Sequence, residues 1–314
     1  MTVNTTAEAF AILARVPQAG AVHSVRRLGG LTNRVYHAST ESGEICLRIP
    51  GEGTAEYINR THEAEAAWEA ARTGVGAALL SFDHASGVMM TRFLAGALTM
   101  TPELFKSRVG APGRAGDVFK RLHTSSAKFI NRFELFDMID GYLNILDGKD
   151  TEFPPGYHDV LKEAETVRAA LAAHELPLTA CHCDPLCENF LDNGERMWMV
   201  DWEYSGMNDP MWDLADLSVE AGFSVEQDAE MIASYFRADP AAHDLGRIVI
   251  YKAMCDLLWT LWGLIQHANK NPADDFRAYS VNRFERCKAL MASPGFAGHV
   301  AAVAGKYDGR AATP

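Results

Sequence analysis

The chain has 314 residues, 48% of them hydrophobic and 22% charged, so it can bury a large core and is not disordered, fibrous or repetitive. Its formal net charge of −12 argues against a nucleic-acid partner, which would require clustered Lys and Arg. The sequence contains no run of 18 uncharged apolar residues. Its N-terminus lacks a basic region followed by an apolar stretch. We therefore expect a cytoplasmic protein with no membrane partner and with its six cysteines reduced.

The first ninety residues predict a short amphipathic helix followed by a small sheet. The helix covers Thr6 to Arg15, where apolar residues recur at helical spacing. Apolar runs then predict five antiparallel strands, at 23–28, 35–38, 44–50, 77–82 and 88–90. A loop from Gly29 to Arg34 joins the first two strands. Its two glycines would let the backbone approach an anion closely, although on their own they are also typical of an ordinary hairpin turn.

A single cation, Arg48, interrupts the apolar run of the third strand. A cation on a buried face needs an anionic partner, because an unpaired buried charge is costly. A helix predicted from His62 to Arg72 supplies two candidates, Glu63 and Glu65, before Gly74 ends it. We expect Glu63 to be the partner, with Glu65 as the rival.

Strand signals nearly vanish after Pro102, and the chain becomes mainly helical. The sequence from Gly110 to Gly113 is expected to break one helix before the next. Further helices are predicted at about 116–125, 137–146, 159–174, 209–221, 226–236, 241–268 and 274–291. The Gly- and Ala-rich tail after Ser293 is expected to be peripheral. This change divides the chain into an N-terminal lobe, 1–95, and a C-terminal lobe, 96–314, of an α+β protein.

One stretch of the second lobe carries the chemistry. Asp184 is followed five residues later by Asn189, and Asp201 comes twelve residues after that, at the end of an apolar strand. Between them, Asn193-Gly194 predicts a hairpin turn that would bring Asp201 beside Asn189. In kinases an Asp holds the acceptor hydroxyl, while an Asn and a second Asp bind magnesium. The spacing predicts a phosphotransferase with these three residues as catalytic groups and with Asn189 and Asp201 as the metal ligands.

Three cysteines in the same loop, together with His182, raise the alternative of a zinc site. The cysteines are Cys181, Cys183 and Cys187. They lack a second ligand pair at zinc-finger spacing, so we do not expect a metal-thiolate centre.

The chain resembles the choline/ethanolamine kinases within the aminoglycoside-phosphotransferase-like group, from about residue 23 to about 290. The resemblance lies in the His-x-Asp-x-x-x-x-Asn loop, in Val200–Gly206 and in Trp259–Gln266. It implies a bilobal protein-kinase-like fold, with a small antiparallel-sheet lobe, a larger mainly helical lobe, and ATP and Mg²⁺ as cofactors.

The same resemblance implies roles for individual residues at the nucleotide. Arg48 would position the phosphates and Glu63 would position Arg48, while Asn33 lies in the phosphate-side loop. Residues 90–94 would form the hinge, where Thr91 and Phe93 contact the nucleotide. In the second lobe, Asp213 would brace the catalytic loop and His182 would act as a scaffold rather than titrate.

The substrate pocket implied by the resemblance is aromatic. Trp259 and Trp262 lie three apart and so share one face of a helix, and Tyr279 follows seventeen residues later. Aromatic faces attract a quaternary ammonium through their negative charge density. Glu220 matches the position of an acidic residue beside this cage. On spacing alone, two tryptophans would more often be core residues, and Glu220 would be a solvent-facing helix residue.

The expected function is ATP-dependent phosphorylation of choline, with Asp184 accepting the proton of the substrate hydroxyl. Ethanolamine and other small amino alcohols are the close alternatives, and Leu186 in the catalytic loop leaves the details of the substrate open. An aminoglycoside phosphotransferase and a non-catalytic binding module for nucleotide or choline are the more distant ones. The oligomeric state and the pathway served by the product stay open.

Overall fold

The computed structural model describes residues 5–29, 33–51, 54, 58–174 and 176–305. The N-terminal lobe contains a five-stranded antiparallel sheet in the order β1-β2-β3-β5-β4, flanked by two helices. Its elements are α1 (Thr5–Leu13), β1 (Val22–Gly29), β2 (Arg34–Thr40), β3 (Gly43–Ile49), α2 (Arg60–Thr73), β4 (Leu79–Phe82) and β5 (Met89–Arg92). All five predicted strands are therefore confirmed.

Alternation along the central strands explains how this sheet packs. In β3, Ile45, Leu47 and Ile49 are buried, and they share a small core with Leu13 of α1. Arg48, between two of these positions, points to the other face of the sheet. That face is turned towards α2 and the second lobe.

The helix α2 has clear end signals. Asn59 caps its N-terminus by accepting hydrogen bonds from the backbone N–H groups of Thr61 and His62. Gly74 ends it in the left-handed region, at φ 73°. These caps hold the register of α2 and fix which of its acidic residues faces the sheet.

The C-terminal lobe is mainly helical, as expected. Its elements are β6 (Leu98–Thr99), α3 (Pro102–Ser107), α4 (Ala111–His123), α5 (Leu135–Leu146), α6 (Tyr157–Ala172), β7 (Thr179–Cys181), β8 (Phe190–Asp192), β9 (Met197–Met199), β10 (Gly206–Asn208), α7 (Met211–Ala221), α8 (Val225–Phe236), α9 (Ala242–Ala268), α10 (Phe276–Met291) and α11 (Phe296–Ala304). A large apolar core joins these helices and also receives the inner side of α2.

Two short sheets position the catalytic segment. The strands β8 and β9 form the predicted hairpin, and β6 pairs with the outer side of β8. The turn is centred one residue later than expected, on Gly194 and Glu195. The Asn193 N–H donates to the Arg196 carbonyl at 3.2 Å across these two residues. The second sheet pairs β7 with β10.

Two predictions about the helical lobe are wrong. The helix α4 starts at Ala111, not near residue 116, because Pro112 lies in its first turn, where a missing N–H costs nothing. The tail after Ser293 is not peripheral up to residue 304. It forms α11, which buries Phe296 and Val303 and packs closely on Gly246 of α9.

The helix α9 is the central element of the larger lobe. Its length and hydropathy would suit a membrane span, but 83% of its most apolar window is buried inside the protein. It contacts α5, α6, α7, α10 and α11. We therefore interpret α9 as the core helix of the larger lobe, and it carries Trp259 and Trp262.

Candidate active site

The catalytic loop is held from behind by Asp213 on α7. One carboxylate oxygen of Asp213 accepts a hydrogen bond from the His182 N–H at 2.7 Å, and the other accepts from the Cys183 N–H at 2.8 Å. The Trp212 indole N–H donates to the Cys183 carbonyl at 3.1 Å. Cys183 has a positive φ of 68°, which is unusual for a non-glycine residue and turns the chain just before Asp184.

His182 is buried and links the loop to the end of the hairpin. Its Nε2 lies 2.8 Å from the Val200 carbonyl, and Ser205 Oγ donates to the His182 carbonyl at 3.1 Å. Burial lowers the pKa of His182, so the ring is held neutral. These contacts agree with a scaffolding role.

Asp184 is partly accessible. Its pKa is raised well above the usual range, first by desolvation and then by the charges of Glu220, Asp201 and Glu203, while Arg283 opposes the shift. Asn189 donates its side-chain N–H to the Asp184 carbonyl at 3.0 Å. The loop thus fixes the two residues relative to each other.

Asp201 follows β9 and lies beside Asn189, because the Val200 N–H donates to the Asn189 carbonyl at 2.9 Å. It also has a positive φ, 69°. One of its oxygens accepts a hydrogen bond from Arg48 Nη1 at 2.7 Å, and the other accepts from the Asn33 side chain at 3.2 Å. The N-terminal lobe therefore contacts Asp201 through two side chains.

Arg48 pairs with Glu63, which is buried, while Glu65 is exposed. This resolves the choice between the two acids. Glu63 also accepts a hydrogen bond from Arg60 at 2.6 Å, and Glu203 lies 3.9 Å from Arg48 and 3.7 Å from Arg60. Burial and the charge of Asp201 raise the pKa of Glu203 to about 7.

The other predicted nucleotide residues lie nearby, on the N-terminal lobe. Thr91 of β5 pairs with Cys46 of β3, and the Phe93 N–H donates to the Glu44 carbonyl at 3.1 Å. The N–H of Phe93 is thus used by the sheet, and contact of Thr91 and Phe93 with a nucleotide stays a prediction. Residues 30–32 of the glycine-containing loop lie outside the described residues, whereas Asn33 lies within them.

Aromatic side chains from three segments meet in the C-terminal lobe. The rings of Trp259 and Trp262 are edge-to-face at 6.4 Å, and the rings of Trp262 and Tyr279 are 5.8 Å apart. Tyr204 packs edge-to-face against Trp259 at 5.9 Å. We call Tyr204, Trp259, Trp262 and Tyr279 the aromatic cluster. Trp259 is only 5% exposed, so it forms the floor, whereas Trp262 and Tyr279 are partly accessible.

Glu220 lies near this cluster but is not a solvent-facing helix residue. Its Oε1 accepts a hydrogen bond from Arg283 Nη2 at 2.5 Å. The guanidinium of Arg283 lies over the ring of Tyr279, 4.6 Å from its centroid. The charge of Glu220 is therefore partly balanced by a residue of the protein.

A cleft of about 310 Å³ opens between the two lobes at this point. Glu203, Tyr204 and Trp262 line one side, and Asn59 and His62, at the start of α2, line the other. Since Tyr204 comes three residues after Asp201, one short segment connects the charged site to the aromatic cluster.

The oxygen atoms available in the loop suit magnesium. Mg²⁺ prefers carboxylate and amide oxygens in octahedral geometry and retains several waters. Asp201 offers a carboxylate, and the Oδ1 of Asn189 has no hydrogen-bond partner among the described residues, since only its N–H group is used. Asp201 and Asn189 therefore fit the metal that the spacing predicts.

Sequence reasoning missed three residues of the site: Glu203, Tyr204 and Arg283. The first two stand in the segment Asp201-Trp202-Glu203-Tyr204, so their positions after a proposed metal ligand were a usable signal. Arg283 gave no local signal, because its partner Glu220 is 63 positions away.

Known proteins resemble this chain in sequence and fold. The chain matches the Choline/ethanolamine kinase family over residues 25–239. A choline/ethanolamine kinase family protein from Mesorhizobium loti is 61% identical, with 95% of this chain and 99% of that chain covered and a TM-score of 0.89. Choline kinase LicA from Streptococcus pneumoniae is 28% identical, covering 91% and 99% of the two chains with a TM-score of 0.75.

Two further comparisons concern LicA. The structure of LicA in complex with AMP is 28% identical, covers 92% of this chain and 98% of that chain, and has a TM-score of 0.74. Protein LicA of Haemophilus influenzae is 27% identical over 270 residues, which are 84% of this chain and 78% of that protein.

Fold and site together define a phosphotransferase of the protein-kinase-like fold that acts on an alcohol group. The chain belongs to the choline/ethanolamine kinase family. Membership of this family supports activity on a small amino alcohol, and the expected bilobal architecture is confirmed.

Proposed function

We propose that this protein transfers the γ-phosphoryl group of ATP to the hydroxyl group of choline. The observation that carries the proposal is the contact of Tyr204 with Trp259, since it joins the segment of the charged site to the aromatic cluster. A phosphate donor at Asp201 and a quaternary ammonium at the aromatic rings would then be held by neighbouring parts of one cleft. Support also comes from the relatives named LicA, one of which is described as a choline kinase.

In the proposed mechanism each residue has one task. Asp184 orients the hydroxyl group of choline and accepts its proton as the oxygen forms a bond to phosphorus and ADP leaves. Arg48, fixed by Glu63, positions the phosphates of ATP. Asn189 and Asp201 would hold Mg²⁺, which neutralises charge that develops on the phosphate oxygens.

Arg48 contacts Asp201 directly at 2.7 Å. When nucleotide and metal bind, they would therefore either leave Arg48 in contact with this carboxylate or displace Arg48 from it. Asn33 also donates a hydrogen bond to Asp201, and Glu203 lies close enough to Arg48 to contribute to the net charge of the site. Binding of ATP is further supported by the LicA structure that contains AMP.

The choice of choline among amino alcohols rests on the aromatic cluster. Each ring face contributes roughly 0.5–2 kcal/mol to the binding of a cation when water is excluded. A primary ammonium has three N–H donors that need acceptors, and ring faces are poor acceptors. Ethanolamine and other small amino alcohols are therefore the alternatives that this site should use less well.

ADP release in the presence of Mg²⁺ tests the proposal. Choline, ethanolamine, their partly methylated forms and an aminoglycoside would be compared as acceptors, with acceptor-free reactions as the control. We expect activity to rise with the degree of methylation. Equal or better use of ethanolamine would overturn the choice of choline, and preferred use of the aminoglycoside would overturn the substrate class.

Thermal-shift measurements separate an enzyme from a binding module. ATP with Mg²⁺ should raise the melting temperature in either case, because any ligand that binds the folded state stabilises it. Stabilisation by both ATP and choline without release of ADP would identify a module that binds but does not catalyse.

A further inference from the structure

We propose that Arg283 determines the preference for a quaternary over a primary ammonium, because it occupies an acceptor oxygen of Glu220 beside the aromatic cluster. The inference deepens the proposed function and rests on it. It assigns to Arg283 the task of making the pocket poor in hydrogen-bond acceptors.

Arg283 is placed inside the pocket by its own helix. It follows Tyr279 by one turn of α10, so its guanidinium folds back over that ring on the same helix face, at 4.6 Å from the centroid. Its side chain is only 6% exposed. One face of Tyr279 is therefore covered by a cation that belongs to the protein.

The guanidinium bridges two helices through two carboxylates. Its Nη2 donates to Glu220 Oε1 on α7 at 2.5 Å, and its Nη1 donates to Asp256 Oδ1 on α9 at 3.2 Å. Arg286 also contacts Asp256, through its Nε at 3.1 Å, but its side chain is 44% exposed. Arg283 and Arg286 thus share Asp256, whereas Glu220 pairs with Arg283.

Arg283 leaves one oxygen of Glu220 as an acceptor beside the rings. In the described part of the chain, the Oε2 of Glu220 has no hydrogen-bond partner, so it can face a ligand. Asp216, one turn before Glu220, lies deeper: its Oδ1 accepts a hydrogen bond from the Cys255 thiol at 2.9 Å, and its Oδ2 is fully buried. At the aromatic cluster a ligand would therefore meet the second oxygen of Glu220 and the ring faces, while Glu203 and Gln266 line the adjoining cleft.

This arrangement treats the two ammonium groups differently. The trimethylammonium group of choline has no N–H donor, so it loses nothing by facing rings and gains from the charge of Glu220. The ammonium of ethanolamine has three donors, and the free oxygen of Glu220 can satisfy only part of them. A buried donor without a partner is costly, so the missing acceptors act against ethanolamine.

Replacing Arg283 with Met should weaken this discrimination. Both oxygens of Glu220 would become available to a primary ammonium, while an unbranched, uncharged side chain would replace the stem of the arginine. We expect the ratio of the Kd of ethanolamine to the Kd of choline to fall by about tenfold or more. Calorimetry, or quenching of tryptophan fluorescence in the absence of ATP, measures both constants without requiring turnover.

Arg286→Met is the matched control. It removes the same charge from the same helix and from the same Asp256, but leaves the pair of Arg283 with Glu220 intact. Its Kd ratio should stay within about threefold of the wild-type ratio, since exposed ion pairs contribute little. Arg283→Lys keeps a cation beside Glu220 and should retain most of the preference.

Loss of folding in Arg283→Met would not end the test. The double variant Arg283→Met/Asp256→Asn removes the carboxylate that the single change leaves with fewer partners, and it carries the same expectation for the Kd ratio. Wild-type preference for choline together with an unchanged ratio in the folded variant would overturn the role of Arg283 alone. Wild-type protein that binds neither amine would overturn the proposed function as well.

Discussion

Two charge clusters flank Asp184, and they are built differently. The lobe-spanning cluster consists of Arg48 and Glu63 from the N-terminal lobe with Asp201 and Glu203 from the C-terminal lobe. The helix-borne cluster consists of Asp216, Glu220, Asp256 and Arg283, all on α7, α9 and α10. The first depends on how the two lobes meet, whereas the second is fixed by helix packing within one lobe.

The difference suggests a division of labour. Ion pairs across a lobe boundary can rearrange when a nucleotide and a metal enter, since the lobes can shift relative to each other. Ion pairs between packed core helices cannot rearrange without disturbing the core. We infer that the lobe-spanning cluster responds to the phosphate donor, and that the helix-borne cluster is a fixed surface for the acceptor.

The largest expected effect comes from replacing Asp184, which lies between the two clusters. Asp184→Ala removes the proton acceptor, and general bases contribute on the order of 10²- to 10⁴-fold to the rate. Turnover should fall by that factor, while binding of ATP with Mg²⁺ remains, because the lobe-spanning cluster is untouched. Steady-state ADP release and thermal shift measure the two properties.

Glu188→Ala is the control for Asp184→Ala, because it removes an exposed carboxylate from the same loop. It should retain nearly full turnover. An Asp184→Ala protein with more than about a tenth of wild-type turnover would show that Asp184 is not the base.

The next largest effect is expected from a substitution within the lobe-spanning cluster itself. Asp201→Asn replaces a carboxylate with a neutral amide, which is a weaker ligand for magnesium and a weaker partner for Arg48. The affinity for ATP in the presence of Mg²⁺ should fall by about tenfold or more, and excess Mg²⁺ should restore part of the activity. Choline affinity should not change if the helix-borne cluster is independent.

Glu195→Gln provides the comparison for Asp201→Asn, since it neutralises an exposed carboxylate in the turn of the same hairpin. Titrations of activity against Mg²⁺ at several ATP concentrations distinguish the two variants. Unchanged affinities for both Mg²⁺ and ATP in Asp201→Asn would exclude Asp201 as a ligand.

The two clusters also differ in how well the sequence predicts them. Arg48 stands out because a cation in an apolar strand requires a partner, and Asp201 stands out because of its spacing from Asn189. The pairing of Arg48 with an acidic residue of α2, in the same lobe, could therefore be predicted. The choice over Glu65 needed the register of α2, which Asn59 and Gly74 set.

The helix-borne cluster and the neighbouring aromatic cluster could be predicted only in part. Trp259 and Trp262 share a helix face by spacing, but it was the family resemblance that implied an aromatic pocket with Glu220 beside it. The pairing of Arg283 with Glu220 was not, because contacts between packed helices leave no periodic pattern in the chain. For the same reason the burial of α11 was missed, since its close contact with Gly246 depends on how α9 and α11 pack.

The smallest expected effect comes from a change in the aromatic cluster, where we propose that the phosphate acceptor binds. Trp262→Ala removes one ring face and part of the apolar surface that would cover the methyl groups of choline, which costs roughly 1–3 kcal/mol by the cation–π and burial contributions together. Choline affinity should fall by about tenfold or more. Ethanolamine, which depends more on acceptors such as Glu220, should lose less, and ATP affinity should not move. Trp68→Ala, an exposed tryptophan on α2, is the control and should leave all three affinities unchanged. An unchanged KM for choline in a folded Trp262→Ala protein would mean that this ring serves core packing with Phe276 and Tyr279 and not the substrate.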